Sequence, residues 1–113
     1  MADINQILND IKGQLGPLAE QNVKEFAAEA KQDAEAFLAE SKSKLAKWVQ
    51  LLAQGQIDQD EFQLLVESQK GIAAMRALSE ANAGTVRIEK FRDSVFDLVI
   101  KTAVNAIAPQ PAS

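Results

Sequence analysis

Apolar residues recur at helical spacing from the first residues of the chain. Ile4, Ile7, Leu8, Ile11 and Leu15 line one face of a leading helix. Asp3 stands where an N-cap belongs, with Gln6 three residues on, as in a capping box. Gly13, Gly16 and Pro17 interrupt the pattern. Proline suits the first position of a new helix, so the spacing predicts a break or kink at residues 13–17, between a short helix over about 3–13 and a long one over 17–53. A straight helix over 17–53 would be roughly 55 Å long. Ile4, Leu15, Phe26, Phe37 and Trp48 fall eleven residues apart, with Leu8, Ala19, Ala30, Ser41 and Leu52 four residues after each. Eleven residues in three turns predicts a nearly straight or slightly right-handed coil.

The strongest local signal is the turn at residues 54–58. Gly55 fits the left-handed position after a helix end. Asp58 fits an N-cap, and Glu61 completes its capping box. A second helix is predicted over 59–107, with Phe62, Val66, Ala73, Ala77, Gly84, Ile88, Val95 and Val99 on one stripe and Ile72 at its flank. Residues 82–85 read in two ways. A continuous helix is preferred; a break at Gly84, with Thr85 capping the next helix, would give a compact bundle within one chain. Residues 109–113 read as a frayed tail after a single helical domain over 1–108. With the turn near Gln56, antiparallel partners have numbers summing to about 112. That register puts Phe37 near Met75, Phe26 near Val86, and the leading helix near residues 99–107.

The resulting fold class is all-α: a long antiparallel helical hairpin with a short N-terminal helix. The stretch 95–104 is apolar around most of its circumference, and such a helix is normally buried. One neighbouring helix cannot cover it, so self-association into a helical bundle is expected. The expected association surface is Phe96, Leu98, Val99, Ile100, Val104 and Ile107 from the end of the chain, with Ile4, Ile7, Leu8 and Ile11 from its start.

Composition narrows the chemistry. Hydrophobic residues make up 47% and charged residues 25%, which suits a folded globular chain and not a disordered one. The net charge of −4 lacks the basic footprint of a nucleic-acid binder. Residues 1–54 and 55–113 each carry six basic and eight acidic side chains, so no charged tail stands out. With no Cys and no His, thiolate and imidazole chemistry is absent, and with it the common triads and zinc sites. Asp58-Gln59-Asp60 begins like a calcium loop, but Phe62 takes the place of the next oxygen ligand. Glu25, Glu29 and Asp33 form an acidic ladder that reads as a solvated face. Lys42, Lys44 and Lys47 beside Trp48, and Arg87, Lys90 and Arg92, are basic clusters offset by neighbouring acids. No catalytic, cofactor or metal site is expected. The start of the chain lacks the basic and apolar regions of a signal peptide, and stretch 95–107 is too short to span a bilayer. A cytoplasmic location is therefore expected.

The functional expectation is a non-enzymatic structural or protein–protein interaction module: a helical homo-oligomer acting as scaffold, cap or chaperone-like adaptor. A second reading is an amphipathic lipid- or surface-associated protein, since the Ala/Lys/Glu-rich stretch 27–47 is loosely similar to exchangeable lipid-binding helices. A missing Lys/Arg border weighs against membrane association. A third is a small secreted helical hairpin. Trp48 before the turn and the lack of Cys are similar to the bacterial hairpins with a Trp-x-Gly turn. Gln50, however, stands where that motif has Gly, and the chain has no Tyr.

Overall fold

A computed structural model describes residues 3–71 and 75–107. The chain is all-α among these residues. Its helices are α1 (Ile4–Val23), α2 (Ala27–Ala53), α3 (Gln59–Glu67), α4 (Arg76–Glu80) and α5 (Thr85–Ile107). Ile72, Ala73 and the 109–113 tail lie outside the described residues.

The turn at 54–58 forms as its residues dictate. Gly55 sits at φ 72°, and its N–H donates to the Leu52 carbonyl while Gln56 N–H donates to that of Leu51. These two bonds close a Schellman motif at the end of α2. Asp58 then accepts from Glu61 N–H at 2.8 Å, and the Glu61 carboxylate accepts from Asp58 N–H at 3.1 Å. The reciprocal box satisfies two donors that the start of α3 would otherwise leave open. Asp3 caps α1 too, but through Asn5 N–H at 2.9 Å and without help from Gln6.

The predicted break at residues 13–17 is absent. α1 runs through Pro17, and the face carrying Ile11, Leu15 and Ala19 is buried along its whole length. Packing of that face outweighs the one hydrogen bond that proline cannot donate. The chain reverses later, at residues 23–26. Helical structure continues in class from Ile4 to Ala53, yet about fifty helical residues in line would measure ~75 Å, and the longest dimension of the molecule is 46 Å. Val23 (φ −141°, ψ 56°) and Phe26 (φ −122°, ψ 29°) leave the helical region on either side of one 3₁₀ turn. α1 is thereby folded back along α2, and Asp3 and Ile4 come to lie beside Ala53 and Gln54.

The eleven-residue series therefore does not form one continuous coil, because its middle member, Phe26, sits at the reversal. Leu15 and Phe37 are buried on separate limbs, and Ile4, Phe26 and Trp48 pack partly buried against the same core. The spacing holds within each limb, where three turns bring the same face round again.

The second predicted helix is also divided. α3 ends in a 3₁₀ turn at Ser68–Gly71, and α4 starts after Met75, which is left-handed at φ 52°. The break at residues 82–84 is present. Asn82, at φ 62°, ends α4 in a second Schellman motif: its N–H donates to Ser79 and that of Ala83 to Leu78. The third limb is thus α3 followed by α4, and α5 returns antiparallel to it. The four limbs run up, down, up and down, as in a short-looped helical bundle.

Three limbs surround α5, which packs on α1, α2 and α3. Val95, Phe96, Val99 and Ala103 are buried within one chain. One neighbour could not have covered them; the fold-back of α1 supplies a further one. Phe37 of α2 meets Phe96 of α5 at a centroid distance of 5.4 Å and a tilt of 59°, an arrangement that aromatic quadrupoles favour. The expected register survives between limbs. Asp33 meets Ala77 and Leu78, and Glu25 meets Arg87.

Candidate interaction surface

The end of the bundle where α1 begins and α2 and α5 finish carries an open cleft of about 850 Å³. Ile4, Ala46, Val49, Ala53, Ala106 and Ile107 supply its apolar lining, with Asp3, Gln50 and Gln54 as the polar members. The reversal at 23–26 creates this cleft, because only a folded-back α1 can bring Ile4 to the ends of α2 and α5. Among the described residues, Asp3 is the one charged residue of the lining.

The ten residues expected at an association surface divide cleanly. Ile7, Leu8, Ile11, Phe96 and Val99 are core residues of their own chain and are not available at the surface. Their burial follows from α1 packing on α2 and α5 together, where a straight leading segment would have met α5 alone. Ile4, Leu98, Ile100, Val104 and Ile107 remain partly exposed while packed against that core. Ile100, Val104 and Ile107 follow i, i+4, i+7 spacing and share one flank of α5. That flank runs down to the cleft at Ile107. Leu98 lies on the other side of the helix. Among the described residues, Leu64 on α3 and Val86 at the start of α5 are the large apolar side chains most open to solvent, each 67% exposed. They sit on different limbs and form no patch with the cleft, and isolated apolar residues of this kind are ordinary on a surface.

Asp33 corrects the reading of the acidic ladder. Its side chain is 9% exposed, and its two carboxylate oxygens accept from Ala77 N–H at 2.9 Å and Leu78 N–H at 2.8 Å. An ionised acceptor at the start of a helix is among the stronger hydrogen-bonding arrangements in a protein. Asp33 therefore fastens α4 to α2. Glu25 faces outward, 4.0 Å from Arg87, with both side chains more than half exposed, so that pair contributes little.

The other polar features have structural roles or face solvent. Asp58 and Glu61 are the cap of α3, and Asp60 lies in its first turn. Lys42, Lys44 and Lys47 are exposed on α2, while Trp48 packs against the core. Asn22 donates to the Leu18 carbonyl at 2.8 Å and accepts from Ser94 at 3.3 Å, tying the end of α1 to α5 where the chain reverses. The Ser41 hydroxyl is buried on α2 without a hydrogen-bond partner among the described residues. Among those residues, no group of three or more Asp or Glu side chains is placed to hold a metal ion. Nor is any described helix long and apolar enough to cross a membrane. Set against protein-family models, curated proteins and solved structures, the chain matches none, so the reading of its surface rests on its own residues.

Proposed function

We propose that the chain is a non-enzymatic helical-bundle module that works by protein–protein association, with the end cleft and the adjoining α5 flank as its docking surface. The observation that carries this reading is the cleft itself. It is a concave, mainly apolar surface that Ile107 joins to the Ile100 and Val104 flank of α5; among the described residues, the most exposed large apolar side chains, Leu64 and Val86, lie on α3 and at the opposite end of α5. Contiguous exposed apolar surface of this kind marks protein–protein or membrane interaction sites and ligand-binding grooves.

The simplest occupant is a second copy of the chain. A lining whose described residues include one charged side chain can face its own copy with little like-charge repulsion between them, although the chain carries a net −4. The lipid-surface reading lacks comparable support, because the apolar face of α2 that it would use is turned into the core.

Light scattering at micromolar concentration tests the proposal. The wild-type chain is expected at a multiple of its 12.3 kDa, and Val104→Glu with Ile107→Glu is expected to return it to the monomer with an unchanged helical spectrum. A wild-type monomer across the micromolar range removes the second copy as occupant. An oligomer indifferent to both substitutions removes this surface.

A further inference from the structure

The third limb contains a unit built differently from the rest of the bundle. Residues 75–84 comprise one short helix, α4, of five residues, between a left-handed Met75 at φ 52° and left-handed Asn82 and Gly84 at φ 62° and 94°. A helix of this length has no stability of its own, because nucleation is unfavourable and few bonds follow it. A left-handed backbone at Met75 is also disfavoured for a side chain of that size. Something outside the unit must hold it in place.

Among the described residues, Asp33 of α2 is the one side chain from the first two helices that hydrogen-bonds to it. The sequence separation is 44 and 45 residues. Its two bonds go to Ala77 and Leu78, the second and third residues of α4, where the helix cannot satisfy its own donors. The remaining anchors are apolar: Met75, Leu78 and Ala83 are buried. On α2, Ala30, Ala34 and Phe37 share the face from which Asp33 projects, and all three are buried.

We infer that residues 75–84 form a latch, a separately opening unit of the bundle whose closed state is held by the Asp33 carboxylate. Opening is a rotation at the left-handed positions on either side of α4. It frees Ala77 and Leu78 N–H, lifts Met75 and Leu78 off the core, and uncovers the α2 face around Asp33. The limbs α1, α2 and α5 stay packed, since their mutual contacts do not pass through α4. Cooperative units of low local stability are where conformational change in a fold begins. This device is independent of the end cleft: α4 packs at Asp33, near the start of α2, and the cleft lies at the finish of that helix.

Amide hydrogen exchange on the full chain, read residue by residue by NMR, tests the inference. In the wild type, the amides of Ala77, Leu78, Ala81 and Ala83 should exchange at least tenfold faster than those of Leu45, Phe96 and Val99. They should do so with little dependence on low urea, the sign of a local opening. Asp33→Asn retains the shape but turns one of the two accepting oxygens into an amide nitrogen that cannot accept. It should speed exchange at Ala77, Leu78 and Ala83 by a further tenfold or more, while the three core amides change by less than threefold. Exchange of residues 77–83 at the same rate and urea dependence as the core would overturn the latch in the wild type alone, even if the variant fails to fold. A uniform acceleration of all amides by Asp33→Asn, or none, would overturn the role of Asp33.

Discussion

Replacing one ring of the Phe37–Phe96 pair with leucine should destabilise the bundle, and replacing both should cost less than the two single losses added. The rings lie 5.4 Å apart at 59°, and both side chains are about 1% exposed. A leucine retains most of the apolar volume, so each single substitution should cost about 1–1.5 kcal/mol. A tilted aromatic pair contributes roughly 0.5–1.5 kcal/mol beyond burial. Either single change removes that contribution, and the double change removes it only once. The sum of the single losses should therefore exceed the double loss by about 0.5–1 kcal/mol. Alanine would be a poor probe, because two Phe→Ala losses of ~3–5 kcal/mol each approach the whole stability of a small domain. Urea unfolding followed by helical circular dichroism measures the cycle. With a slope near 1.5 kcal/mol per molar, a 1.2 kcal/mol loss lowers the midpoint by about 0.8 M. Additivity within about 0.3 kcal/mol, or single losses below about 0.5 kcal/mol, would refute the packing of α2 on α5 through these rings.

Two further substitutions probe local features. Ser41→Ala removes a buried hydroxyl that has no partner among the described residues and adds helix propensity, so the bundle should be unchanged or more stable by up to about 1 kcal/mol in the same urea assay. A loss above 1 kcal/mol would show that the hydroxyl is bonded after all. Asn82→Ala keeps the β-carbon at φ 62° but removes the polar group that lets asparagine tolerate it, and should cost about 1 kcal/mol, whereas Asn82→Gly should be close to neutral. Equal effects of the two would contradict the left-handed cap.

Some of this fold is legible in the sequence because its signals are local. The turn at 54–58 is written in Gly55, Asp58 and Glu61, each of which acts within a few residues of itself. The break at 82–84 is half-written. Gly84 draws attention to it, while Asn82 is the residue that ends the helix. The reversal at 23–26 carries no such mark. Val23 and Phe26 both have negative φ, which any residue adopts, so no glycine or proline is needed there. Asn22 is the one usable hint, a side chain that closes the last turn of α1. Pro17 misleads in the opposite direction: its cost is real but smaller than that of unpacking the face beside it. Asp33 looks like any exposed helix acid, because its partners lie 44 and 45 residues away and no pattern on α2 reveals them. The candidate surface is legible at Ile4 and Ile107, the two ends of the apolar pattern. Ala46, Val49, Gln50 and Ala53 join it only through the fold-back.

The end cleft exists only through that fold-back, and one distance tests it. The chain has no cysteine, so spin labels can be placed at Asp3→Cys and Gln54→Cys alone. Both residues line the cleft, and an electron–electron distance measurement on the doubly labelled chain, diluted into unlabelled protein, should give a single population below about 25 Å. Helical structure running straight from Ile4 to Ala53 would place the labels roughly 75 Å apart. A population centred beyond about 50 Å would contradict the closed bundle, and with it the surface proposed for association.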